Sequence, residues 1–85
     1  MSLDSYREKI DYIDDQILDL LIKRFDIVQE VKAYKKTNHI DVLDSNREQA
    51  IINKIKNRES VYEDELIEIV TCMMNESKKN QRKDD

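Results

Sequence analysis

Three basic residues, Arg7, Arg24 and Lys35, recur at helical spacing among apolar residues near the start of the chain. Steps of three and four from Arg7 reach, in order, Ile10, Asp14, Ile17, Leu21, Arg24, Val28, Val31 and Lys35. At about 100° per residue these positions fall within an arc of roughly 120°, so cations and branched aliphatics share one helix face. Because burying an unpaired charge is costly, these cations need an anion to pair with. The pattern predicts a helical protein built around a small, negatively charged ligand.

Helix geometry separates these cations into two groups. Arg7 and Arg24 lie 17 residues apart, about 25 Å along a straight helix, so one small ligand cannot contact both from the same chain. Arg24 and Lys35 lie 11 residues apart, about 16 Å on the same scale, and two long side chains that lean together can reach one ligand. We therefore expect Arg24 and Lys35 to share a site, and Arg7 to serve a site in another subunit.

The helix that carries these residues is predicted to be very long. Ser5 is expected to cap its N-terminus, with Glu8 completing a capping box, and the pattern continues to about residue 36 or 37. Because the chain has no glycine, Asn38 is predicted to end the helix in the left-handed conformation, before a loop over 38–41. A helix of about 50 Å exceeds the diameter of an 85-residue globule, so its apolar face needs a partner chain. We expect an intertwined homodimer with pockets shared between subunits.

The second helix opens on a repeat of the first. Residues 43–48, Leu-Asp-Ser-Asn-Arg-Glu, match residues 3–8, Leu-Asp-Ser-Tyr-Arg-Glu, at five of six positions. A second capping box, Ser45 with Glu48, explains the serine and the glutamate but not the arginine beside each glutamate. The helix is predicted to end near Asn57 and to turn inward the side chains of Ile51, Ile52 and Ile55.

A third helix is predicted to open at a capping box formed by Ser60 and Glu63 and to bury a stripe of Leu66, Val70 and Met73. Continuing that stripe by steps of four reaches Ser77 and then Gln81, two uncharged hydrogen-bonding side chains one turn apart. Polar residues are common where a terminal helix frays, so this pair alone does not indicate a site. Together with the cations, it does.

Composition limits both the fold and the function classes. The 85 residues allow one domain, residues 1–85, and 40% charged with 39% hydrophobic residues, without glycine or proline, favour an all-α fold. The net charge is −4 and the basic residues are dispersed among acids, which argues against a nucleic-acid-binding surface. No apolar run approaches the roughly 18 residues of a membrane span. We expect no membrane association and a cytoplasmic location.

Eight spaced residues together resemble the pattern of the small all-helical chorismate mutases: Arg7, Arg24, Lys35, Asp44, Arg47, Glu48, Ser77 and Gln81. The resemblance covers nearly the whole chain, and its clearest parts are the segment Asp44-x-x-Arg47-Glu48 and the pair Ser77-x-x-x-Gln81. It implies three helices per chain and a homodimer with two shared active sites. It also implies a stand-alone, monofunctional enzyme.

The resemblance further implies a substrate and a reaction. Chorismate, a dianion with an enolpyruvyl ether and a ring hydroxyl, would rearrange to prephenate for phenylalanine and tyrosine biosynthesis, without metal or cofactor. Arg24 of one subunit and Arg7 of the other would bind the two carboxylates, and Arg47 and Ser77 would assist. Guanidinium forks suit planar carboxylates, so lysine would be a poor substitute for these arginines.

The remaining site residues would act on the ether and the hydroxyl. By the same resemblance, Lys35 and Gln81 would donate hydrogen bonds to the ether oxygen as the C–O bond breaks. Glu48 would accept a hydrogen bond from the ring hydroxyl, and Asp44 would orient Glu48 and the start of the second helix. No nucleophile is needed, in agreement with the only histidine, His39, in a predicted loop and the only cysteine, Cys72, on a helix without a neighbouring histidine.

Two alternatives remain at the level of sequence. The cations could pair with acids such as Asp14 or Glu48 in an ordinary helical dimer that serves as a structural or adaptor module. A second enzyme of the same fold, an isochorismate-pyruvate lyase, shares much of the cationic pocket and eliminates pyruvate from a related substrate. Glu48 and Ser77 favour the mutase.

Overall fold

A computed structural model describes residues 2–83, which form three α-helices and contain no strand. Helix α1 spans Leu3–Thr37, α2 spans Ser45–Lys56 and α3 spans Glu63–Arg82. The predicted all-α architecture of one long helix and two shorter ones is therefore confirmed. The described chain extends over 55 × 30 × 14 Å, and α3 packs against both α1 and α2.

The N-terminus of α1 lies earlier than predicted. Ser2 is the N-cap, and its hydroxyl oxygen accepts a hydrogen bond from the backbone N–H of Ser5 at 3.2 Å. The Ser5 hydroxyl in turn donates to the Ser2 carbonyl at 2.9 Å. The prediction that Ser5 caps the helix was wrong, because Ser2 offers the same capping oxygen one turn earlier.

The C-terminus of α1 falls at Thr37, as predicted, but Asn38 does not adopt the left-handed conformation. Asn38 has φ −100°, and its side-chain amide donates to the Tyr34 carbonyl at 2.8 Å. The positive φ of 55° belongs to His39 instead. The Tyr34 carbonyl also accepts from the Asn38 backbone N–H at 3.0 Å, so the helical bonding continues through Asn38 and the chain reverses one residue later.

The two shorter helices also begin at caps that differ from the predicted ones. Asp44, and not Ser45, caps α2, whereas the C-cap at Asn57 agrees with the prediction. Tyr62 precedes α3 without any side-chain cap bond from the described residues. The predicted capping box at Ser60 was wrong, because the Ser60 hydroxyl accepts from the Tyr62 N–H at 3.0 Å and closes the preceding turn.

The hydrophobic core of the described chain is thin. Among residues 2–83, the only buried apolar side chains are Val28 of α1, Ile55 of α2 and Met74 of α3. The first half of α1 exposes a row of large apolar residues, including Ile10, Ile13, Ile17, Leu18 and Leu20. Exposed apolar surface of this extent is typical of a face that binds another chain.

Candidate active site

A cleft lies between the second half of α1, the start of α2 and the second half of α3. Its volume is about 150 Å³. It is lined by seven of the eight residues singled out in the sequence: Arg24, Lys35, Asp44, Arg47, Glu48, Ser77 and Gln81. Apolar side chains complete its wall: Val28, Val31, Val42, Ile51 and Met74. The fold thus brings together residues that are up to 57 positions apart in the sequence.

Arg24 is tied to α3 through Ser77. The Arg24 Nη1 donates to the Ser77 Oγ at 2.6 Å, and Ser77 Oγ donates to the Met73 carbonyl at 2.9 Å. Ser77 is only 6% exposed. This relay fixes the guanidinium against a buried hydroxyl, which limits the rotamers of a long side chain before any ligand arrives.

Lys35 is held beside the cleft by the loop after α1. Its Nζ donates to the Val42 carbonyl at 2.9 Å, and the Ile40 N–H donates to the Lys35 carbonyl at 2.8 Å. An ammonium group has three donor hydrogens, and the bond to Val42 uses one of them. The loop therefore positions the Lys35 cation beside the cleft.

Asp44 acts on the start of α2. Its carboxylate Oδ1 accepts from the Arg47 N–H at 2.9 Å, and its carbonyl accepts from the Glu48 N–H at 3.0 Å. A carboxylate at this end of a helix also meets the positive end of the helix dipole. Asp44 thereby sets the backbone from which Arg47 and Glu48 reach the cleft.

Glu48 meets a cation that the sequence reasoning missed. Its Oε2 lies 3.0 Å from the Nζ of Lys78, which also lines the cleft. The spacing held a usable signal, because steps of four and three along α3 lead from Met74 to Lys78 and Gln81. The predicted stripe ran through Met73 and Ser77 and left this neighbouring row out.

Gln81 lies in the last turn of α3 and carries an unsatisfied group. Within the described residues, its side-chain Oε1 is buried without a hydrogen-bond partner. An unsatisfied buried polar atom costs about 1–3 kcal/mol, a cost that a ligand donor would remove. Rotation of the amide instead presents its NH₂ group, with two donors, in the same direction.

Arg7 is the one predicted site residue that the chain does not bring to the cleft. It lies near the N-terminus of α1, is about two-thirds exposed, and contacts Asp4 at 3.9 Å. Arg7 and Arg24 are 17 positions apart on one unbroken helix, a separation of about 25 Å. Within one chain, Arg7 and Arg24 therefore cannot contact the same small molecule.

Positive charge extends beyond the cleft. A second cavity of about 210 Å³ shares Lys35, Val42 and Gln81 with it. Four further basic residues line this cavity and form what we call the cationic rim: Lys32, Lys36, Arg82 and Lys83. No carboxylate from the described residues lines it. In a chain with a net charge of −4, this concentrates positive potential beside the cleft, where it attracts anions.

Two other kinds of site are absent from residues 2–83. No cluster of three or more histidine, cysteine or acidic side chains is arranged to hold a metal ion. No helix there has the length and apolar character to cross a bilayer. His39 and Cys72 are both exposed, so Cys72 does not pack in the core as a small apolar residue.

Comparison with known protein families identifies the family to which the chain belongs. The family model described as chorismate mutase type II matches residues 6–82. The chain belongs to this chorismate mutase family. No curated protein and no solved structure matched it significantly. The matched span contains Arg7 as well as the seven predicted residues that line the cleft.

Proposed function

We propose that this protein is a chorismate mutase that converts chorismate to prephenate, and that the cleft described above is its active site. The observation that carries the proposal is the convergence of Arg24, Lys35 and Ser77 with the start of α2 and Gln81 in one cationic cleft. Membership of the chorismate mutase family supports the same substrate.

The cleft suits the physical demands of this reaction. Chorismate rearranges within one molecule, so the protein must hold its flexible ether in a compact conformation and stabilise the negative charge that develops on the ether oxygen. Fixed hydrogen-bond donors in a site partly shielded from water supply such stabilisation without reorganising during the reaction. Lys35 and Gln81 line both cavities and are the donors that we assign to the ether oxygen.

We assign the other polar groups of the cleft to two tasks, binding of a substrate carboxylate and binding of the ring hydroxyl. The Arg24 guanidinium, already oriented by Ser77, takes one substrate carboxylate, with Arg47 beside it. Glu48 is the acceptor that we assign to the ring hydroxyl. Asp44 holds the helix start that carries Arg47 and Glu48.

The second carboxylate requires a cation from another chain, and we propose a homodimer that provides it. The row of exposed apolar side chains on α1 needs a cover, and a second copy of α1 offers a matching apolar face. In such a dimer Arg7 of the partner subunit completes each cleft. The cytoplasmic location and the single domain over residues 1–85 stay predictions from the sequence.

The proposal is tested by incubating the purified, chelator-treated protein with chorismate and identifying the product. Conversion to prephenate without added metal or cofactor is expected. A folded dimer that leaves chorismate untouched would reject the proposal and favour an adaptor role. Release of pyruvate from isochorismate as the dominant activity would instead favour the lyase.

A further inference from the structure

One ion pair in the cleft joins two helices at a functional position. The Lys78 Nζ of α3 lies 3.0 Å from the Glu48 Oε2 of α2, and the two side chains are 21% and 29% exposed. Both line the cleft that we propose as the active site. Partly buried charges interact more strongly than exposed ones, because less water and salt screens them.

A neighbouring pair on α3 provides the contrast. The Lys79 Nζ lies 3.0 Å from the Glu76 Oε1, the same distance, but these side chains are 68% and 46% exposed. The Lys79–Glu76 pair lies within one helix, outside the cleft. Exposed pairs of this kind contribute little to stability or function. The two lysines therefore differ in burial and in the helices that they connect, although they are adjacent in the sequence.

Arg24 and Lys35, two other cations of the cleft, contact other partners. Glu48 shares the cleft with Arg24 and Lys35 from α1, with Arg47 from its own helix and with Asp44 at the N-cap of that helix. Arg24 donates to Ser77, and Lys35 donates to the Val42 carbonyl. Among the described residues, Lys78 is thus the cation in ion-pair contact with the Glu48 carboxylate.

The Glu48 carboxylate and a doubly charged substrate anion repel each other, and Lys78 is placed to offset this repulsion. Two like charges brought together in a partly water-excluded cleft repel, so the substrate would be pushed away from Glu48 or the Glu48 side chain would turn aside. A cation bound to one carboxylate oxygen offsets this repulsion. It also fixes the rotamer, so that the second oxygen remains available to accept a hydrogen bond.

We propose that Lys78 is a positioning residue of the active site, which aims Glu48 at the ring hydroxyl of the substrate and offsets its charge. This inference rests on the proposed function. Lys78 acts through Glu48 and makes no contact of its own with the reacting atoms.

A double-mutant cycle tests the inference. Wild type, Lys78→Met, Glu48→Gln and the double variant are compared for kcat and KM with chorismate. We expect Lys78→Met to lower kcat/KM about tenfold, the size of one charge-assisted hydrogen bond at a partly exposed site. In the Glu48→Gln background the same substitution should change kcat/KM by less than about twofold, because a neutral amide needs no counter-charge.

Two further variants control for structure. Lys79→Met removes the exposed pair on the same helix and should leave kcat/KM within about twofold of wild type. Lys78→Arg keeps a cation in reach of Glu48 and should retain activity within about threefold. Circular dichroism and thermal unfolding verify that every variant is folded at the assay temperature.

The outcomes separate this inference from the proposed function. Wild-type turnover of chorismate tests the proposed function alone. If wild type is active, an equal loss from Lys78→Met in both backgrounds would overturn the positioning role and indicate direct substrate contact. Unchanged activity in folded Lys78→Met, or the same loss in Lys79→Met, would overturn it as well.

Discussion

The sharpest prediction concerns Arg24→Lys, a substitution that keeps the positive charge and removes the guanidinium fork. A lysine at this position loses the lateral N–H that donates to Ser77 Oγ at 2.6 Å. It also loses one of the two parallel hydrogen bonds that a guanidinium makes to a carboxylate. Hydrogen bonds to charged groups contribute about 1.5–3 kcal/mol each, and partial exposure of the cleft lowers each loss to about 1–1.5 kcal/mol.

Together these losses amount to about 2–3 kcal/mol, which corresponds to a decrease of roughly 30- to 150-fold in kcat/KM. Steady-state kinetics with chorismate, at a temperature where the variant is folded, measures the decrease. Ser77→Ala is the matched control, because it removes the tether but keeps the fork, and its decrease should be only about fivefold. If folded Arg24→Lys stays within twofold of wild type, the carboxylate-binding role of Arg24 is wrong.

Three further predictions address the ether oxygen, the dimer and the cationic rim. Gln81→Glu replaces an amide that donates at every ordinary pH by a carboxyl that donates only when protonated. The kcat/KM of this variant should therefore rise about tenfold per pH unit as the pH falls toward the pKa of the new carboxyl. A pH–rate profile like that of wild type would contradict the role of Gln81 at the ether oxygen. Inactive Arg7→Ala and Arg24→Ala dimers, mixed in equal amounts and allowed to exchange subunits, should recover about a quarter of wild-type activity. Half of the dimers are then mixed, and each mixed dimer carries one intact site of two. No recovery after verified exchange would exclude a contribution of Arg7 in trans. Raising the ionic strength from about 0.01 to 1 M shortens the Debye length from about 30 to 3 Å and should lower kcat/KM several-fold. A kcat/KM that does not depend on salt would show that the cationic rim does not attract the substrate.

The helical architecture could be predicted from the sequence because periodicity and capping residues act locally. The end of α1 at Thr37 and the end of α2 before Asn57 follow from such local signals. The errors lie at the caps, where nearby residues offer equivalent oxygens. Ser2 and Ser5 compete at α1, and Asp44 and Ser45 compete at α2. Backbone geometry decides between such neighbours, and a rule based on residue type does not.

The composition of the cleft was largely predictable, because helix spacing places Arg24 and Lys35 on one face and Ser77 and Gln81 on another. The contacts that orient these groups were not predictable. The Val42 carbonyl that holds Lys35 comes from an irregular loop, whose path leaves no periodic trace in the sequence. Lys78 was missed because a lysine on a helix of this charged chain is usually solvated, and only its packing against α2 reveals Glu48 as its partner.

The most direct test of the shared cationic site is a crystal structure with a rigid dicarboxylate that mimics the compact reacting conformation of chorismate. The proposed mechanism predicts a dimer in which one ligand carboxylate contacts Arg24 and the other contacts Arg7 of the partner subunit. Lys35 and Gln81 should then lie within hydrogen-bonding distance of the ligand oxygen that replaces the ether. A ligand bound outside the cleft would contradict the mechanism. So would a dimer in which Arg24 and Arg7 of the partner subunit share no common cavity.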